Sequence, residues 1–262
     1  MNKDRIRQIV VVAGVAFALV LNGAANALPI NGQTTAEISD RFRVFVVPAG
    51  YVFAIWGLIY LGQLAFVAHT LRPGRLESPL LRRIGLIPAL IGLLNGLWIL
   101  LWHYEVFLAT VPVMVALLLA LIVLYQRAGF DRLARPGAGM SKSDRWFVQV
   151  PFSLYLGWIT VATIANVAAV GNWAGVSTFG LAPELVAAAV LAIGLTIAAT
   201  VMLRTADVIY GAVIVWAYAG IVVKEASTPW VPWVAGFTVA VMVVLILAAY
   251  AGRVPIRPQP AT

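Results

Sequence analysis

The sequence predicts an all-α, polytopic membrane helix bundle of about eight transmembrane helices. Of its 262 residues, 62% are hydrophobic and only 11% are charged, and the mean hydropathy is +0.95. A soluble domain needs a more polar surface than this composition allows. The hydrophobic residues also form runs long enough to cross the roughly 30 Å hydrocarbon core of a bilayer, and most Lys and Arg residues lie in the short connections between those runs.

The apolar runs predict eight spans, near 8–28, 46–69, 84–102, 106–126, 147–170, 183–203, 205–223 and 230–250. An even number of spans places both termini on one side. All but three of the 18 basic residues then fall on that side, the exceptions being Arg41, Arg43 and Lys224. Because short cytoplasmic loops are enriched in Lys and Arg, both termini are predicted to be cytoplasmic, and a bacterial cytoplasmic (inner) membrane is expected.

The first span has a second interpretation. Its basic start, its apolar run and the sequence Ala25-Asn26-Ala27 also resemble a signal peptide that would be cleaved after residue 27. We expect a retained helix, because the apolar stretch continues to Leu28.

Two connections are long. Residues 29–45 are either a plain connector or a lid on the outer side. Residues 127–146 are basic and contain a turn signal at Pro136-Gly137, and contact with anionic lipid headgroups accounts for them.

The composition excludes several classes of function. There are no cysteines and two histidines, so disulfides and a metal cluster are not expected. The placement of the basic residues indicates a membrane orientation signal, and no nucleic-acid partner is expected. Glu184 and Asp207 lie near span ends where water is within reach, and no buried acid or His pair is expected for acid–base chemistry. Binding is therefore favoured over catalysis.

The fifth span carries the clearest candidate site. Tyr155, Trp158, Ala162 and Asn166 recur at three- or four-residue steps, which places them within roughly 80° of one helix face. An aromatic pair and an amide on one face of a membrane helix indicate either a binding site or a helix–helix contact.

The second and third spans repeat this pattern. Phe53, Trp56 and Tyr60 share one face of the second span, while Tyr51 points the other way. In the third span, Asn95 and Trp98 accompany small residues that permit close helix contact, namely Gly92 and Gly96. Trp102, His103, Tyr104 and Glu105 at the following turn are expected to anchor the helix at the membrane interface.

Depth along the helices predicts that these side chains meet. Four asparagines and several aromatic residues lie at similar heights in the middle or outer half of the membrane; the asparagines are Asn22, Asn26, Asn95 and Asn166. Because an amide in hydrocarbon is costly without a partner, one shared cavity or polar seam is expected. Indole and phenol rings there would stack on a planar ligand.

Three motifs resemble the translocator-protein family, also called tryptophan-rich sensory proteins (TspO/MBR). The fifth span's Tyr155-Leu-x-Trp158-x-Thr160-x-Ala162-x-x-x-Asn166 is similar to that family's fifth-helix pattern. Leu94-Asn95-x-x-Trp98 resembles its third-helix motif, and Val52-Phe53 followed by Trp56-x-x-x-Tyr60 resembles its second-helix motif. Leu154, Val161 and Ala165 depart from the usual Pro, Phe and Leu.

The resemblance implies a five-helix bundle over residues 1–175, followed by three additional helices and a short tail over residues 176–262. It also implies a pocket for porphyrins or other flat hydrophobic molecules such as sterols, a sensory, regulatory or transport role, and at most a light-dependent porphyrin breakdown. A homodimer is possible, and the lipid bilayer is a partner. The residues expected at the ligand are Tyr51, Phe53, Trp56, Tyr60, Asn95, Trp98, Tyr155, Trp158, Ala162 and Asn166.

Two other functions remain open from the sequence. The chain could be a secondary transporter for a small solute, although no inverted repeat is visible between its halves. It could also be a structural or partner-binding membrane protein in which every Asn and Trp serves helix packing.

Overall fold

A computed structural model describes residues 2–28, 30–132, 139–178 and 180–253. Its helices are α1 (Lys3–Ala27), α2 (Thr35–Asp40), α3 (Ile55–Thr70), α4 (Pro79–Ile84), α5 (Ile87–His103), α6 (Phe107–Ala128), α7 (Lys142–Asp144), α8 (Val150–Trp173), α9 (Pro183–Thr205), α10 (Val208–Lys224) and α11 (Val231–Tyr250). A 3₁₀ segment, Gly50–Ala54, leads into α3, and a π-helical segment, Arg145–Gln149, leads into α8. The turn predicted at Pro136-Gly137 and the side chain of Asn26 lie outside the described part.

The predicted fold class, an all-α membrane helix bundle, is confirmed. Each of the eight predicted spans contains an apolar α-helix, and six of these helical segments are long and apolar enough to cross a membrane. The remaining two, Ile87–His103 and Val208–Lys224, have 17 residues each, which is the lower end of the range for a transmembrane helix. Lipid-facing leucines such as Leu58, Leu61 and Leu64 are more than half exposed.

Helix α8 lies at the centre of the bundle. It packs against α3, α6 and α10, while α1 packs against α5 and α5 against α6. In the span that contains α8, 61% of the most apolar window is buried, against 22% to 39% in the other five long spans. The stretch with the predicted aromatic and amide face is therefore surrounded by protein on most sides.

Helices α1 and α5 approach at their small residues. A Cβ atom built on Gly92 would lie 2.1 Å from the carbonyl oxygen of Gly14, and one built on Gly14 would lie 2.6 Å from Cα of Ala89. The predicted close contact at Gly92 is thus present, and its partner is α1. Gly96 meets the side chain of Phe17.

The last three helices pack against the rest of the bundle through α10. Its Trp216 donates from Nε1 to the carbonyl oxygen of Val52 over 3.0 Å, and the carbonyl oxygen of Gly220 accepts from the Ala49 N–H over 3.2 Å. Helix α11 packs on both α9 and α10. The 3₁₀ segment before α3 is consequently held from behind by α10.

Candidate ligand cleft

A cleft opens between the beginning of α3, helices α5 and α8, and the short helix α2. It has about 580 Å³ of empty space with its open mouth included. The lining residues are Thr35, Ser39, Val47, Pro48, Phe53, Trp56, Trp98, Trp102, Met114, Trp158, Val161, Ala162, Ala165, Asn166 and Ala169. The surface is thus largely aromatic and aliphatic, with a few polar groups.

Edge-to-face aromatic contacts build one wall of the cleft. The ring of Trp158 lies 5.6 Å from that of Phe53 and 6.1 Å from that of Trp56, with interplanar angles of 82° and 81°. Trp56 in turn stacks on Tyr60 at 5.5 Å and contacts Tyr155 edge-on at 6.0 Å. Such arrangements are the ones that aromatic pairs favour, so the rings of this wall support one another.

A second pair of indoles forms another wall of the cleft. Trp98 and Trp102 stack with their ring centroids 5.5 Å apart and an interplanar angle of 18°. The Trp98 Nε1 donates to Asn166 Oδ1 over 2.7 Å, and Asn166 Nδ2 donates to Thr110 Oγ1 over 3.0 Å. The oxygen and the nitrogen of the Asn166 amide are both used in this way, so this side chain holds the indole of Trp98 against α8.

Trp158 presents a different situation from Trp98. Its side chain is 2% exposed, and no hydrogen-bond acceptor among the described residues lies within reach of its Nε1. A buried N–H group without a partner costs about 1–3 kcal/mol, and the hydrocarbon core offers none. The residues around the cleft thus leave one indole donor unused.

The loop between α1 and α3, residues 30–45, covers the cleft and is called the outer loop after the side on which the sequence predicts it. Thr35 and Ser39 of α2 belong to the lining, and this helix begins with a capping box formed by Thr34 and Glu37. His103 fixes the loop from below, because its Nδ1 donates to the carbonyl oxygen of Ile30 over 3.1 Å, so that in the neutral ring its Nε2 accepts from Thr35 Oγ1 over 3.0 Å. Of the two readings of residues 29–45, the geometry favours a lid over a plain connector.

An ion pair adds to this attachment at the rim. Arg41 and Gln33 both donate to Glu105 Oε1, over 3.0 and 2.9 Å. These contacts, with that of Gln33 the larger cause, hold the pKa of the Glu105 carboxyl below its usual range. The rim contact is therefore present at neutral pH.

The structure brings together most of the residues predicted at the ligand. Six of them line the cleft, and these are Phe53, Trp56, Trp98, Trp158, Ala162 and Asn166. Three line a smaller cavity next to it, and these are Tyr60, Asn95 and Tyr155. Tyr51 lies in neither: it is half exposed and packs edge-on against Trp216 at 5.5 Å.

The interface position predicted for Trp102 and His103, at the turn after α5, is wrong. Trp102 was expected to anchor the helix at the membrane interface, but it is 4% exposed and lines the cleft. His103 is fully buried and bonded to the outer loop. The four-residue step from Trp98 to Trp102 indicates that the two indoles share one helix face. The position of Trp102 at a span end, by contrast, is typical of an interface anchor.

Of the four asparagines predicted to share one seam, the three whose side chains the structure describes form two clusters. Asn22 Nδ2 donates to Asn95 Oδ1 over 2.6 Å, and the Tyr60 hydroxyl donates to Asn22 Oδ1 over 2.9 Å. This cluster joins α1, α3 and α5, whereas the cluster of Asn166 joins α5, α6 and α8. Helix α5 contributes to both clusters from consecutive turns, with Asn95 in the first and Trp98 in the second.

Two buried groups contradict the expectations that Asp207 stays within reach of water and that the chain has no buried acid or His pair. Asp207 is 4% exposed and accepts from the hydroxyls of Tyr125 and Ser153 over 2.7 and 2.5 Å. His69 is 1% exposed and lies 3.1 Å from the carboxylate of Asp144. Both groups lie at the end of the bundle opposite the cleft. Among the described residues, no three His, Cys, Asp or Glu side chains could hold a metal ion together.

Comparison with known proteins agrees with this architecture. The sequence profile of the family described as TSPO-like protein matches residues 8–248, which include all of the cleft and most of α11. Neither a search of curated proteins nor one of solved structures gave a match. Since the family match covers most of the chain and the structure is a bundle of apolar helices, this chain is an integral, multi-pass membrane protein that belongs to the TSPO-like family.

Proposed function

We propose that the cleft binds a planar hydrophobic molecule, a porphyrin or another tetrapyrrole or a sterol-like compound, and that binding serves a sensory, regulatory or transport role. The observation that supports this most directly is the pair of indole walls around an apolar cleft. Flat ring faces of this kind stack on flat ligands. The absence of charged residues from the described lining agrees with a ligand whose contacted surface is apolar.

Within the cleft, the residues would have distinct roles. Trp56, Trp98 and Trp102 would provide stacking surfaces. The N–H of Trp158 would donate to an oxygen or nitrogen atom of the ligand. Ala162 would leave the space that a larger side chain on the same helix face would fill.

We infer the position in the membrane from the basic residues. Both termini would face the cytoplasm and the cleft would open toward the opposite side of a bacterial inner membrane. Residues 1–175 would form the ligand-binding bundle. The three helices of residues 176–262 would support its wall, because α10 contacts the segment that leads into α3.

Filling the cleft with one side chain tests the proposal. We expect purified protein in nanodiscs to show saturable quenching of tryptophan fluorescence by protoporphyrin. Ala162→Leu should abolish this quenching, because the added carbons occupy the cleft. The matched control is Ala192→Leu, on the exposed face of α9, which should bind like the unchanged protein. Equal affinities for the two variants would contradict the proposal.

The role of the Trp158 N–H requires a milder change. Trp158→Phe keeps an aromatic ring but removes the donor. Loss of one neutral hydrogen bond should weaken protoporphyrin binding by about fivefold to tenfold. Trp233→Phe, at a site that is 80% exposed, is the control and should leave the dissociation constant unchanged. If neither the variants nor the unchanged protein show saturable quenching, the alternative that these aromatic residues serve only helix packing is favoured.

A further inference from the structure

A second cavity lies between α1, α3, α5 and α8, next to the cleft but separated from it by aromatic rings. Trp56 belongs to the cleft lining, while Tyr60 and Tyr155, both in contact with it, belong to the lining of this second cavity. Its empty volume is about 270 Å³, roughly half that of the cleft. Gln63 and Asn95 bring two amides to its surface.

Both amides carry donors that the protein does not use. Gln63 is 6% exposed and Asn95 is 1% exposed, and neither Gln63 Nε2 nor Asn95 Nδ2 has an acceptor among the described residues. The Oδ1 of Asn95 is already occupied by Asn22. Two unused amide donors from different helices therefore border one buried cavity. Leaving such donors unpaired inside a membrane protein is costly.

We propose that this cavity is a binding site for an ordered water molecule that accepts hydrogen bonds from Gln63 and Asn95. A water oxygen can accept two hydrogen bonds, and a buried water needs two to four polar partners to be retained. The hydroxyl oxygens of Tyr60 and Tyr155 are acceptors on the same lining for the hydrogens of the water. The rest of the lining includes buried apolar side chains such as Val15 and Ile59.

This water would extend the polar cluster of α1, α3 and α5 by one member. Gln63 would be linked through it to Asn95, and thereby to Asn22 and the hydroxyl of Tyr60. The Tyr60 ring stacks on Trp56, so this polar cluster adjoins one wall of the cleft. The water site itself does not depend on the proposed ligand.

Replacing the amide of Gln63 by a thioether of similar length distinguishes a cavity that holds the water from one that is empty. If the water is bound, Gln63→Met removes one of its hydrogen-bond partners and displaces it, so that Asn95 Nδ2 also loses its acceptor. The melting temperature should then fall by about 2–4 °C. If the donors are unsatisfied, the apolar side chain removes a buried unpaired group and the melting temperature should rise. Gln126→Met, at an exposed position near the end of α6, is the control and should show no change.

Two further measurements complete the test, and neither needs a ligand. In a high-resolution density map, a peak in hydrogen-bond contact with Gln63 and Asn95 should be present in the unchanged protein and absent in Gln63→Met. In a double-mutant cycle, Gln63→Met combined with Asn95→Leu should cost less than the sum of the single changes, because the two residues share one water. A rise in melting temperature, an empty cavity in the map or additive effects would overturn the inference.

Discussion

Gly92→Ala is expected to destabilise the protein by about 3 kcal/mol or more, as measured by equilibrium unfolding in detergent. The new Cβ atom would lie 2.1 Å from the carbonyl oxygen of Gly14 and 2.6 Å from its carbonyl carbon. Backbone atoms cannot rotate away, so α1 and α5 would have to separate along their length. Overpacking of an interior usually costs about 1–3 kcal/mol, and a collision with backbone belongs at the upper end of that range or above it.

Two other glycines provide graded controls for this prediction. A Cβ on Gly57 of α3 meets nothing within 4 Å, so Gly57→Ala should be neutral or slightly stabilising, because alanine is the better helix former. A Cβ on Gly96 would meet the ring of Phe17, a side chain that can move, and Gly96→Ala should have an intermediate effect. If Gly92→Ala were as stable as Gly57→Ala, the close approach of α1 to α5 would be refuted.

Asp207→Ala is expected to cost about 4 kcal/mol and to loosen α9–α11 from the remainder of the bundle. The carboxylate accepts from the hydroxyls of Tyr125 on α6 and Ser153 on α8. It also caps α10 by accepting from the N–H groups of Ile209 and Tyr210. Alanine removes the helix cap, worth about 1 kcal/mol, and strands two buried hydroxyls that each lose a bond to a charged group. Unfolding free energy and limited proteolysis near residues 205–207 measure the two effects.

Conservative variants separate these contributions. Asp207→Asn keeps an oxygen in the position of Oδ1 that caps the helix, and its amide nitrogen, in the position of Oδ2, can donate to the two hydroxyl oxygens. It should therefore cost less than half as much as the alanine variant. Tyr125→Phe removes a single hydrogen bond to the carboxylate and should cost about 1.5–3 kcal/mol. If all three variants unfolded at the same point as the unchanged protein, Asp207 would not join the helices as the structure indicates.

The spans and much of the site were accessible from the sequence for one physical reason. In a bilayer, long apolar runs must be helices, and a helix has a fixed angle per residue, so residues that share a face can be named in advance. The helical period and the depth of each residue thus predict the neighbours of one cleft, namely Trp56, Trp98, Trp158 and Asn166. The small residues of the third span likewise predict a close helix contact at Gly92.

The features that were missed depend on which neighbours a helix has. The position of Asp207 at the end of a span predicts that it lies near a membrane surface. It is buried because α6 and α8 pack on either side of it and donate hydrogen bonds to it. Trp102 also lies near a span end, and it is buried because the outer loop folds back over it. The two asparagine clusters arise because α1 packs on α5 at one face while α6 and α8 meet another, and no helical period in a single chain encodes that arrangement.

The attachment of the outer loop to His103 has a consequence for the timing of ligand exchange. A molecule that passes α2 to enter or leave the cleft requires this helix to lift, and lifting it breaks the contacts of His103 with Ile30 and Thr35 as well as those of Glu105 at the rim. The rates of binding and release by this route would then be limited by how often the loop opens, while the affinity of the cleft would still set its occupancy at equilibrium. Such a protein would have slow association and long residence times, and it would report the average supply of its ligand and not brief fluctuations.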